Sequence, residues 1–115
     1  MADSSPQIRF KRGESFIYPF IVWKTVQKNE PLDVTNITFK GQLRKGSARV
    51  AELEFVKEYA ANGKVVMKFT GDTSPWPASD LLCDIKMTDN DSGQKITSDT
   101  FIVRVDKEVT KEGII

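Results

Sequence analysis

The chain has 115 residues, with 17 Lys plus Arg against 16 Asp plus Glu, one cysteine and no histidine. A net charge of +1 supplies no general pull toward nucleic acid or an anionic membrane. A lone cysteine, Cys83, excludes an intrachain disulfide and points to use in a cytosolic setting or in a particle assembled there. The missing histidine removes the commonest general base and the commonest metal ligand. No spaced catalytic motif replaces it, so neither an enzyme, a cofactor nor a metal site is expected.

In chain order, the opening "MADSSPQIRFKRG" lacks the apolar core of a signal peptide. The longest apolar run, "FIYPFIVW" from Phe16 to Trp23, falls far short of the ~20 residues of a membrane helix. A single domain over residues 1–115 is expected, with no membrane partner. Short segments of period two, separated by turn signals, predict a β-sandwich or barrel. The expected strands are Gln7–Lys11, Glu14–Trp23, Ile37–Lys45, Arg49–Val56, Lys64–Thr70, Leu81–Thr88 and Gln94–Val105.

In the second segment Phe16, Tyr18, Phe20 and Val22 alternate with Ile17, Ile21 and Trp23, so both faces are apolar. Pro19 between them lacks a ladder donor, which suits an edge strand or a bulge and excludes a central position. An edge strand of a sandwich has one inner face. The set Ile17, Ile21 and Trp23 therefore needs a cover, either a loop of the same chain or a partner subunit.

"PLDVTNITFKGQLRKG" reads as a turn feeding one clean strand. Pro31 pre-sets its φ, and the Asp33 carboxylate can accept from backbone N–H groups at Thr35 or beyond. Ile37, Phe39, Gly41 and Leu43 then point one way, and Thr38, Lys40, Gln42 and Arg44 the other. With "GSA" at 46–48 as a hairpin loop, Lys40 faces Glu54, Gln42 faces Glu52 and Phe39 faces Phe55. That places Lys40 and Arg44 on a solvated, partly charge-paired face rather than on a nucleic-acid stripe, which needs unpaired positive charge. "AELEFVKEYAANG" (Ala51 to Gly63) is also rich in helix formers and ends on a helix stop. Strand and helix both stay open there.

Trp76 in "SPWP" is either a lid folded over the sandwich end or an exposed anchor for a partner or a sugar ring. Cys83 alternates with Leu81, Ile85 and Met87 as a small core residue. "DNDSG" (Asp89 to Gly93) resembles the opening of a calcium loop, but its twelfth position is Thr100 rather than a bidentate glutamate. A polar hairpin turn is the simpler reading. Parity changes between Ile96 and the set Phe101, Val103 and Val105, which predicts a β-bulge near Ser98–Thr100.

The order of elements resembles a family of small immunoglobulin-like domains in tailed-phage virions, typified by the N-terminal domain of upper baseplate proteins. The resemblance lies in the glycine-led first strand "RGESFIYPFIVW" and in the turn and strand "PLDVTNITFKGQLR". Pro31, Asp33, Val34, Thr35, Gln42, Leu43 and Arg44 match there. It continues in the pair Asp84–Ile85, a glycine hairpin and the closing strand "FIVRVDKEVT". "SDLLCD" departs from the family's glycine and tyrosines ahead of the aspartate–aliphatic pair.

The resemblance implies an all-β, immunoglobulin-like antiparallel sandwich of about seven strands. It implies a non-enzymatic virion component, in tail, baseplate or neck, assembled in the host cytoplasm and held by contacts with other virion proteins. Self-association is expected through Ile17, Ile21 and Trp23, with Trp76 as a further anchor and Pro31, Asp33 and Thr35 as a structural turn. The rival expectations are a carbohydrate- or receptor-binding module using Trp76, Tyr59 or Trp23 as a stacking platform, and a small regulator directed at one host protein.

Overall fold

The strict alternation of Ile37–Lys45 is seen directly in the computed structural model, which describes residues 7–24 and 28–109. Leu43 is fully buried and Gly41 is buried, whereas Lys40 and Arg44 are exposed. The described residues form nine strands: β1 Gln7–Lys11, β2 Phe16–Ile21, β3 Ile37–Lys45, β4 Ala48–Tyr59, β5 Lys64–Phe69, β6 Asp80–Cys83, β7 Ile85–Asp89, β8 Lys95–Thr97 and β9 Phe101–Asp106. Two of the seven expected segments are interrupted, one at Asp84 and one at Ser98–Thr100, which raises the count from seven to nine. The second interruption is the expected bulge. Three steps from Cys83 to Lys86 are matched by four from Phe101 to Thr97.

The all-β class is as expected, and Ala51–Gly63 is settled as strand followed by a single 3-10 turn at Ala60–Asn62. Gly63 ends that turn at φ 70°, where an added Cβ would lie 2.6 Å from the Val22 carbonyl oxygen. A side chain is excluded there on both counts.

The ladders run β1-β9-β6-β3-β4-β5-β2, with β7 on β3 and β8 on β7. All pairings are antiparallel except that of β1 with β9. Two sheets share one strand. The first half of β4 pairs with β3 in sheet A, and from Glu54 onward it pairs with β5 in sheet B. The hairpin loop is Gly46–Ser47, one residue shorter than expected, and a bulge opposite Leu43/Arg44 restores the register Gln42↔Glu52.

The pairing stops at Gly41. Beyond it β3 keeps only β7, so Lys40 stands opposite Lys86 and not Glu54. Phe39 and Phe55 do meet, but across the layers, as stacked rings 5.8 Å apart. Gly41 makes room for the crossing: an added Cβ would lie 3.0 Å from the Phe55 ring.

Strand β2 pairs only with β5, so Pro19 lies on an edge strand. The Val22 N–H reaches the Gly63 carbonyl. By alternation the even residues of β2 address β5, and Ile17, Pro19 and Ile21 address the open edge. The N–H that Pro19 lacks is one that would have faced solvent.

The core sits between the sheets, with Phe10, Phe16, Leu43, Leu53, Met67, Leu81, Val103 and Trp76 among its members. Trp76 is 3% exposed and packs against the rings of Phe10, Phe16 and Phe69 at 5.3–5.6 Å between centroids. This corrects its assignment as a partner anchor; it is the lid of one end. The same loop carries Thr73, whose buried hydroxyl donates to the Glu14 carbonyl at 2.7 Å and accepts from Gly13 N–H at 2.8 Å. The β1–β2 turn is thereby tied to the lid.

Candidate functional site

Three surfaces present chemistry that the fold itself does not use. The first is the outer face of sheet B. Its side chains line up in rows set by register: Ile17, Lys68 and Glu54; Pro19, Val66 and Val56; Ile21, Lys64 and Tyr59. Ile17 is 62% exposed and Tyr59 60%, with Ile21 and Val56 also exposed. Lys64 lies 3.2 Å from Glu58 and 5.4 Å from the centre of the Tyr59 ring. Lys68 and Glu54 are neighbours of opposite sign in the register, and the remaining side chains of these rows are apolar or aromatic.

Sequence reasoning found Ile17 and Ile21 for this face, offered Tyr59 only as a stacking platform of the rival reading, and missed Val56. For Tyr59 the reason is local. The register shifts between Lys57 and Tyr59, and the extra residue turns Tyr59 to the face that simple alternation assigns to Glu58.

The second surface is the open end of the fold, opposite in character to the end closed by Trp76. Trp23 does not join Ile17 and Ile21. It lies beyond β2, bridged to Pro31 and half-buried. Together with Leu32, Ile37, Met87 and Ile96 it lines a cleft of about 540 Å³, rimmed by Asp33, Asp89, Asp91 and Asn36.

The turn at Pro31–Thr35 is built as expected: Asp33 Oδ1 accepts from Thr35 N–H at 3.0 Å and from its hydroxyl at 2.6 Å. Those bonds favour the carboxylate and hold its pKa below the ordinary value, the Thr35 hydroxyl contributing most. The "DNDSG" segment is a turn in the same manner. Asp89 Oδ1 accepts from Asp91 N–H, and Gly93 adopts φ 76°. Asp91 Oδ2 in turn accepts from Asn36 Nδ2 at 3.0 Å.

The third surface is a groove of about 440 Å³ on the outer face of sheet A, lined by Lys40, Gln42, Arg44, Leu82, Asp84 and Lys86 among others. Arg44 donates to Gln42 Oε1 and to the Ser47 carbonyl, both at 2.8 Å and both neutral. Among the described residues neither Lys40 nor Lys86 has an ion pair. Cys83 beneath the groove is buried, and burial first, then the Asp84 charge, pushes its thiol up to about 12. It is held as an inert thiol.

The sequence matches no family model and no curated protein. Among solved structures the fold is similar to the N-terminal domain of phage TP901-1 ORF48, at 14% identity and a TM-score of 0.56. The similarity covers 87% of this chain and 84% of that one. It establishes a common all-β fold over nearly the whole chain.

Proposed function

We propose that this chain is a non-enzymatic structural component of a tailed-phage particle that acts through protein–protein contacts. The outer face of sheet B carries the reading. Ile17, Ile21, Val56 and Tyr59 stand exposed there on a three-stranded sheet whose lysines each have an acid as neighbour, so binding another protein costs little electrostatic rearrangement. The likeness to a phage protein domain supports the setting, and the resemblance of "PLDVTNITFKGQLR" to upper baseplate domains supports a place in tail, baseplate or neck. The two antiparallel layers, with the first strand parallel to the last, support an immunoglobulin-like arrangement. Assembly takes place in the host cytoplasm, with other virion proteins as partners and no nucleic acid or membrane. A thiol held at about 12 supports the absence of a catalytic role for Cys83.

The test is co-assembly. The chain is expressed together with the proteins encoded by its neighbouring genes and followed by gel filtration. Wild type is expected to migrate with a partner, and Ile21→Asp, with an unchanged melting temperature, to migrate alone. Wild type migrating alone, or the variant remaining in the complex, would overturn the proposal.

A glycan-binding reading has one observation in its favour: Trp23 shares its cleft with Asp33, Asn36 and Gln94, a ring beside acid and amide groups. Trp23→Ala losing binding to a sugar on a glycan array is the outcome that reading requires.

A further inference from the structure

Lys40 and Lys86 are directly opposed on adjacent antiparallel strands, an arrangement that destabilises a sheet when nothing lies between the charges. Arg44 adds a third cation to the same groove, against one acid, Asp84. Leu82, also exposed, supplies an apolar contact at its wall. A groove of this kind fits carboxylates presented on a surface that also offers apolar atoms.

The same chain carries such a surface at the open end of its fold. Asp33, Asp89 and Asp91 stand on the rim with the exposed Ile96. Among the described residues Lys24 is the one cation lining that cleft, and its ammonium is held by Glu30 at 2.8 Å. Asp33 and Asp91 each commit one oxygen to a turn contact, and the other oxygen makes no hydrogen bond among the described residues. The rim is rigid because Asn36 Nδ2 and the Asn36 carbonyl tie the two turns together through Asp91 and the Asn90 N–H.

We propose that the basic groove on the outer face of sheet A receives the acid-rimmed open end of a second copy of this chain. The two surfaces are different, so the contact is heterologous. Repeated from copy to copy, it closes into a ring or grows as a filament. An unmatched lysine pair inside the monomer becomes a matched charge cluster in the assembly. Nucleic acid is the competing occupant of a basic groove. It is disfavoured by Asp84 and Leu82 in the lining, by a net charge of only +1, and by the lack of an aromatic ring on which a base could stack. The inference goes beyond the proposed function and uses a different face, so Ile21→Asp leaves this contact intact.

The test is light scattering after gel filtration at low and high salt. Wild type is expected to associate at low ionic strength and to return to monomer at about 1 M salt, where screening acts over roughly 3 Å. The groove variant Lys40→Glu/Lys86→Glu and the rim variant Asp91→Lys/Gln94→Lys are each expected to be monomeric and folded. An equimolar mixture of the two is expected to associate again, because each altered surface then meets an altered partner. Wild type that stays monomeric at low salt would overturn the proposal, as would variants that associate like wild type or a mixture that stays monomeric. Monomeric wild type that binds a single-stranded DNA 20-mer, with binding lost in the groove variant, would assign the groove to nucleic acid instead.

Discussion

On the outer face of sheet B every lysine has company: Lys64 meets Glu58 and the Tyr59 ring, and Lys68 stands opposite Glu54. On the outer face of sheet A, Lys40 stands opposite Lys86. The two faces are built on the same alternation, and β4 contributes to both. The difference arises where β4 leaves β3 at Gly41 and takes Glu54 with it into sheet B. One strand changing sheets therefore completes the charge pairing of one face and leaves the other incomplete. The first face sets its lysines beside acids and exposes apolar side chains between them; the second exposes a like-charge pair.

The largest expected effect comes from blocking that crossing. Gly41→Val drives a side chain into Phe55 and the Asp84 carbonyl, and overpacking of this kind costs about 3 kcal/mol. Urea denaturation should show the midpoint fall accordingly; an unchanged midpoint would mean that the two sheets part for some other reason. Next in size is Lys64→Glu on sheet B. It removes an exposed ion pair and a ring contact and sets like charges side by side, at a cost of about 1 kcal/mol.

The equivalent change on sheet A carries the opposite sign. Lys86→Glu replaces a like-charge pair with an opposite one and should stabilise the monomer by about 0.5 kcal/mol. A melting temperature that rises for Lys86→Glu and falls for Lys64→Glu confirms the contrast; two shifts of the same sign break it.

The smallest effect lies on the rim between the faces. The pKa of Asp33 is lowered in the folded chain by the Thr35 hydroxyl and N–H, so its charged form contributes stability above the ordinary value of 3.8. That contribution is lost as pH falls through 3.8 toward the folded value. Asp33→Asn should melt below wild type at neutral pH, and the gap should close in acid. A gap independent of pH would show that the carboxylate charge plays no part.

Side-chain parity was legible in the sequence, and partner choice was not. The alternation of Ile37–Lys45, the edge position of Pro19 and the bulge at Ser98–Thr100 all follow from which residues are apolar and where a donor is missing. The hairpin reasoning holds at Gln42↔Glu52 and fails two residues later. A register argument assumes that two strands stay together, and nothing in the local pattern of β4 says that it will leave. The trace it left was Gly41, a residue without a side chain in an inward position otherwise held by Ile, Phe and Leu. Of the expected contact residues, Ile17 and Ile21 share a face, Trp23 turns away at the end of its strand, and Trp76 is sealed in the core. An aromatic between two prolines looks the same in sequence whether the loop bends outward or back over the end.

Pro19 has a consequence for life at high local concentration. Many identical sheets pressed side by side risk fusing through hydrogen bonds from edge to edge, the route by which soluble β-proteins turn into fibrils. The open edge of β2 offers N–H groups at Ile17 and Ile21 and none between them, so an incoming strand finds the ladder broken at its middle rung. Copies can crowd together and touch through side chains while their backbones stay separate.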